Sequence, residues 1–279
     1  MPIPTLEHRP LVMAILNVTP DSFSDGGRWF DRDRAVERAE EMIAEGADIV
    51  DVGGESTRPG AEPVSVDEEL RRVVPVVEAL AGKVRLSVDT TKEEVAAAAV
   101  QAGASLINDV SASLWEVAAR HGVGWVAMHR KGSPATMQHD PQYEDVVAEV
   151  AALLCERAVA AHAAGVAEVW IDPGIGFGKS VEHNLRLLGC LADLVATGYP
   201  VMVGTSRKSF LGALSRSPGG PAVPVADRLP ASLATATWAM EQGARMVRVH
   251  DVAATVQAAR LVGPDAPATT GRVGSGVDA

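Results

Sequence analysis

Cysteine is nearly absent from this chain. Only Cys155 and Cys190 occur in 279 residues, each in a helix-like stretch without C-x-x-C spacing or a histidine cluster, so neither a disulfide framework nor a zinc site is expected. Both are expected to be reduced thiols in the core. Long apolar runs are missing too: no stretch reaches the roughly 18 residues that a membrane helix needs. The opening MPIPTLEHRP has no apolar run before Leu11 and fits neither a secretory signal nor a transit peptide, so the expected location is the cytoplasm. Positive charge is in deficit, with a formal net charge of −11. That balance speaks against nonspecific binding to nucleic acid or to an anionic membrane, and an anionic substrate would need a local basic pocket. Finally, no G-x-G-x-x-G follows the first apolar run, where NVTPDSFSDGG stands instead. An open dinucleotide-binding sheet is thereby the weaker structural alternative.

What is present is a rhythm. Short β-branched or apolar runs alternate with Ala-, Glu- and Arg-rich segments of helical period, the pattern of a parallel sheet covered by helices. Strands are predicted at 11–17, 48–53, 84–89, 105–109, 124–129, 168–172, 200–204 and 245–250. Eight strands, each followed by a helix, predict an α/β fold, a single-domain (β/α)8 TIM barrel spanning residues 11–263. Residues 1–10 form an N-terminal extension, and the aperiodic 264–279 is expected to be a disordered tail. Ser65 with Glu68 predicts a capping box, and Gly46, Gly82, Gly103, Gly122, Gly165, Gly198 and Gly243 stand where left-handed helix caps favour glycine. Pro75 is expected to kink the second long helix or shift its boundary. The helix at 115–121 is expected to be short, and 215–226, rich in Pro and Gly, to be a surface loop.

Polar residues end nearly every predicted strand: Asn17, Asp51, Asp89, Asn108 with Asp109, His129, Asp172, Ser206-Arg207-Lys208, and Arg248 with His250. Any one of them could simply cap the next helix. In a barrel, however, such ends converge on one mouth. Asp89, Asn108, Asp172 and Lys208 would together offer acceptors and donors for a flat ring bearing amino and oxo groups, nucleobase-like or pterin-like. Metal binding by the carboxylates is the rival, although no second ligand stands at suitable spacing beside either Asp89 or Asp172. The cations Arg58, Arg207, Lys208, Arg248 and His250 suit the oxygens of a phosphate or diphosphate, and the ends of strands seven and eight are a frequent place for one in this fold. The long loop 19–29, with Phe23, is a candidate lid.

Seven segments carry a family resemblance: NVTPDSFSDGG from Asn17, GGESTRPG from Gly53, SVDT from Ser87, IND from Ile107, IDPGIGFGK from Ile171, GTSRKSFLG from Gly204 and RVHDV from Arg248. In sequence and order they resemble the dihydropteroate synthases, from about Leu11 to Val262. The resemblance implies the (β/α)8 fold and condensation of 6-hydroxymethyl-7,8-dihydropterin diphosphate with p-aminobenzoate, giving 7,8-dihydropteroate and diphosphate in folate biosynthesis. It implies that Asp89, Asn108, Asp172 and Lys208 hold the pterin, with Met128 and Phe177 lining its pocket. It assigns Thr57, Arg58, Arg248 and His250 to the diphosphate, and Phe23, Pro59, Ser206 and Arg207 to p-aminobenzoate. Asn17 would bind Mg²⁺, and Asp25 would help stabilise a cation formed when diphosphate leaves; Arg248, His250 and Lys208 complete the catalytic set. Family precedent implies a homodimer. The stretch between Asn108 and His129 departs from the family by being short. A methyltransferase on the same pterin-binding barrel is a second reading, disfavoured by the Ser206-Arg207-Lys208 run. A silent pterin-binding homologue is a third, disfavoured by the intact TPDSFSDGG and STRPG loops.

Overall fold

The structure, a computed structural model, describes residues 9–19, 32–56, 63–133 and 136–262. Eight strands follow one another as β1 (Leu11–Asn17), β2 (Ile49–Gly53), β3 (Arg85–Asp89), β4 (Leu106–Asp109), β5 (Gly124–Met128), β6 (Val169–Asp172), β7 (Met202–Val203) and β8 (Met246–Val249). All ladders are parallel, and β1 pairs with both β2 and β8. The last seam, between β6 and β7, is closed by a single bridge from Ile171 to Val201 and by Ile171 N–H donating to Pro200 O at 3.0 Å. The predicted barrel is therefore the observed one. β7 is shorter than the sequence implied, because Pro200 brings no N–H to the ladder and accepts only through its carbonyl.

Helices cover the outside: α1 (Arg32–Ala44), α2 (Val66–Leu80), α3 (Glu93–Ala102), α4 (Trp115–His121), α5 (Val146–Ala163), α6 (Val181–Gly189), α7 (Leu191–Val195), α8 (Ser209–Leu214), α9 (Leu229–Glu241) and α10 (Val252–Val262). The seven cap glycines all have positive φ, as their places at helix ends require. Ser65 caps α2 by accepting from Glu68 N–H at 3.3 Å, but the Glu68 carboxylate turns to Arg71 and Arg72, so only half the expected box forms. A complete box appears instead at Ser180 and His183, where an imidazole replaces the usual Glu. α2 runs through Pro75 to Leu80, so the proline does not move the boundary. The 215–226 stretch is mostly loop, entering a 3₁₀ turn at Val225. Cys155 and Cys190 are free but only half-buried, which corrects their expected place in the core: the helix faces that pack inward carry Leu154 and Leu191 instead. No described helix is long and apolar enough to cross a membrane. The expected tail at 264–279 and most of the N-terminal extension lie outside the described residues.

Strand alternation sorts the barrel into two faces. Val12, Val50, Val88, Ile107, Trp125 and Val247 point outward under the helices, in one continuous apolar layer. Inside, Met13, Ile49, Leu106, Val126, Trp170, Met202 and Met246 form a separate buried cluster. Below it, Glu168 accepts from Arg85 Nη2 at 2.6 Å and from the indole of Trp170 at 2.8 Å. These layers plug the amino end of the barrel, so any site must open at the carboxyl end.

Candidate active site

Two residues beyond the apolar cluster, the same inward positions become polar. Ile49 is followed by Asp51, Leu106 by Asn108, Trp170 by Asp172 and Met246 by Arg248. Arg248 is clasped by two acids: Nε donates to Asp51 Oδ2 at 2.6 Å and Nη2 to Asp89 Oδ2 at 2.7 Å. Burial works against its charge, but these carboxylates hold its pKa above the ordinary arginine value. Asn108 Nδ2 donates to the same Asp51 oxygen at 2.8 Å. The Asp89 carboxyl is lifted to about 7 by burial, despite the pull of Arg248.

Opposite stands the β6 exit. Asp172 accepts from Gly174 N–H through Oδ1 at 2.7 Å, and burial raises its pKa against the opposing field of Lys208. Lys208 is pushed down to about 8 by burial. Its ammonium donates to Ile175 O and lies 4.6 Å from the centre of the Phe177 ring. Met128, 5% exposed, ends β5 beside Asp172 in the register. The turn holding Phe177 needs glycine: a Cβ on Gly174 would sit 1.8 Å from His129 O, and φ there is +64°. Lys179 staples the turn from beneath, donating to Gly174 O at 3.0 Å and Phe177 O at 3.1 Å and meeting His129 Nδ1 at 2.9 Å.

A third group follows β7 and β8. Ser206 Oγ accepts from His250 N–H at 3.1 Å and lies 3.0 Å from His250 Nδ1. Arg207 has φ of 57° and turns its guanidinium to Asp251 in a two-pronged ion pair at 3.0 and 2.5 Å. Asn17 ends β1 opposite Gly53, whose neighbours on a notional Cβ are Asp89 Oδ2 at 3.7 Å and Asn17 Oδ1 at 3.9 Å.

One feature of this rim points to a ligand. Asp51 Oδ1, Asp89 Oδ1 and Asn108 Oδ1 are buried without a hydrogen-bond partner, a costly state for polar atoms unless something else binds them. Acceptors dominate that set, so the matching ligand edge carries N–H donors.

Comparison with known proteins agrees with this geometry. Residues 13–250 match the family described as pterin binding enzyme. Dihydropteroate synthase of Escherichia coli is 49% identical over 261 residues, covering 91% of this chain and 90% of that protein. Dihydropteroate synthase of Xanthomonas albilineans with 4-aminobenzoic acid superimposes with a TM-score of 0.82 at 47% identity, covering 91% of this chain and 92% of the other. The same enzyme in complex with 7,8-dihydropteroate gives a TM-score of 0.80 at 45% identity, with 92% and 93% covered. The chain belongs to the dihydropteroate synthase family.

Within that family barrel, Asp89, Asn108, Met128, Asp172, Phe177, Lys208, Ser206, Arg248 and His250 meet at one rim. Phe23, Asp25, Thr57, Arg58 and Pro59 lie outside the described residues. Two strand-end residues read as mouth groups have other work. Asp109, facing outward beside the inward Asn108, accepts from the amides of Ser113 and Leu114 and from the Trp125 indole, and so braces the 110–114 turn. His129 packs beneath the mouth against Lys179, where burial lowers its pKa to about 3. Asp51, expected at the mouth from its strand-end place but given no role there, holds both Asn108 and Arg248, and Lys179, which had no expected place in the site, braces it from below. Period-two alternation from Ile49 would have placed Asp51 inward; nothing local marks Lys179.

Proposed function

We propose that this chain condenses 6-hydroxymethyl-7,8-dihydropterin diphosphate with p-aminobenzoate, releasing diphosphate and 7,8-dihydropteroate, by a dissociative displacement at the pterin methylene. The observation that carries this is the pair of unpartnered buried acceptors, Asp89 Oδ1 and Asn108 Oδ1, on the same rim as the donors Lys208 and Arg248. Asp89, Asn108 and Asp172 take the N–H groups of the ring, while Lys208 donates to its oxo and ring-nitrogen acceptors. Met128 and Phe177 supply apolar walls.

With the ring held, the carbon–oxygen bond to the diphosphate breaks and its electron pair leaves with the anion. Arg248 keeps one nitrogen, Nη1, uncommitted among the described residues, and with His250 it meets the charge that builds on the departing oxygens. Thr57 and Arg58 are assigned to the same anion. The methylene cation is conjugated with the ring. The arylamine, neutral at pH 7, attacks it through nitrogen and then loses a proton, so no enzyme nucleophile takes part. Ser206, Arg207, Phe23 and Pro59 are assigned to the arylamine; Asp25 is assigned to cation stabilisation and the first loop to exclusion of water.

A hard cation fits the Asn17 corner in kind. The Asn17 carboxamide oxygen, which with Asp89 borders Gly53, would provide one protein ligand, and no group of three acidic, His or Cys side chains forms a complete cage among the described residues. Mg²⁺ held by Asn17 and by the substrate's own diphosphate would supply charge neutralisation at the leaving group. The working form is proposed as a cytoplasmic homodimer, on family precedent. Mixing the two substrates with Mg²⁺ and following diphosphate release tests the assignment. Stoichiometric diphosphate and dihydropteroate are expected; ring binding without turnover would overturn it.

A further inference from the structure

We propose that Asp51 is a positioning residue that sets the amide of Asn108 and the guanidinium of Arg248 together, building the ring pocket and the anion grip on one carboxylate oxygen. The inference rests on the reading of this mouth as a pterin and diphosphate site. Asp51 is fully buried in the middle of β2, and its Oδ2 takes Arg248 Nε at 2.6 Å and Asn108 Nδ2 at 2.8 Å. These partners stand 197 and 57 residues away in sequence, on β8 and β4, so neither bond is a local cap.

The chemistry of the carboxylate fixes both partners. An ionised carboxylate only accepts, so the Asn108 amide must turn its nitrogen toward Asp51; the flipped amide would set two acceptors against each other. Asn108 Oδ1 is thereby committed to face away from Asp51, and it is the atom left buried without a partner. Asp89 Oδ1 is in the same state, and Asp89 and Asn108 are adjacent across the β3–β4 ladder. Asp51 thus turns an ambiguous amide into an acceptor, matched to the N–H edge of a ring.

The same oxygen pins Arg248 at Nε, while Asp89 holds Nη2. A guanidinium is planar, so two anchored nitrogens fix the direction of the third, Nη1. Without Asp51 the arginine would pivot on Asp89 alone, and the anion grip and ring pocket would lose their common reference. A carboxylate kept only to stabilise the fold would show no such division between ligands.

The test is a pair of mutant cycles read by binding. Asp51→Asn should weaken the plain pterin (6-hydroxymethylpterin) and inorganic diphosphate each by about tenfold or more, with the KM for p-aminobenzoate unchanged. In an Asn108→Ala background, Asp51→Asn should cost pterin affinity much less than in the wild type. In an Arg248→Ala background it should cost diphosphate affinity much less. Full, additive losses in both backgrounds, or an equal rise in the KM for p-aminobenzoate, would overturn the proposal. Should Asp51→Asn not fold, the wild-type protein answers through the side-chain amide of Asn108 in a ¹H–¹⁵N spectrum, assigned by its absence in Asn108→Ala. A widely split, slowly exchanging proton pair is expected; free-amide shifts would refute the orientation. This spectrum needs no substrate, so it stands or falls separately from a failure of turnover.

Discussion

The lower and upper halves of the barrel interior are lined from the same strands, at positions two residues apart, and they solve opposite problems. Ile49, Leu106, Val126, Trp170, Met202 and Met246 below are apolar and at most 1% exposed. Two residues on stand Asp51, Asn108, Met128, Asp172, Gly204 and Arg248. The lower set is satisfied by shape alone, because dispersion and water exclusion need no particular partner. The upper set is satisfied only by a few directed contacts, and it leaves acceptors unpaired. Strand pitch therefore separates a stabilising layer from a binding layer by a single side-chain step.

Deleting the largest side chain of the lower layer should give the largest effect on stability. Trp170→Ala is expected to cost about 3–5 kcal/mol, read as a lowered denaturation midpoint, with turnover per folded molecule nearly intact. A comparable loss of pterin affinity in the folded mutant would mean that the two layers are not separable.

In the upper layer, Arg248→Ala should lower kcat by about a hundred- to a thousandfold through lost stabilisation of the leaving anion. Because Arg248 also bonds Asp89, a smaller loss in plain-pterin binding should accompany it. Asp172→Asn is expected to reverse the emphasis, weakening the plain pterin on the order of tenfold or more. Titrating both mutants with the pterin, with and without its diphosphate, decides this; identical losses on the plain pterin would remove the division of labour.

Lys208 links the comparison to pH. Its pKa is lowered to about 8 by burial, so raising the pH through that value removes the ammonium, and pterin affinity should fall. Stability should move the other way. Between about 8 and the ordinary lysine value near 10.4 the unfolded chain holds more protons than the folded one at this site, so the Lys208 contribution to stability rises with pH. Comparing wild type with Lys208→Arg in binding and denaturation across this window isolates both slopes; Lys208→Arg should retain affinity to higher pH. The smallest effect lies outside the barrel, where Ser65→Ala should cost about 1 kcal/mol by freeing the first turn of α2, with kcat and KM unmoved.

Much of the fold was legible because alternation and helical period are local signals. Every predicted strand exists, and each cap glycine takes positive φ. Less of the site was legible. Asp51 and Asp109 both look like strand-end acids, yet one faces the barrel axis and the other ties a turn. Lys179 follows a glycine-rich turn with nothing local to mark it, yet it is 2% exposed and makes four contacts, two to carbonyls of that turn and two to His129. The capping box at Ser65 failed by half because Arg71 and Arg72 compete for Glu68 with full charges.

From the sequence alone came the number of strands, the polar character of their carboxyl ends and the motifs that mark the family, since each depends on residues near one another along the chain. Which carboxylate holds which cation was decided only by closure of the barrel. That step brings Arg248 against Asp51 and Asp89 from 197 and 159 residues away, and hydrogen bonds depend on angstrom-scale placement that no local pattern encodes.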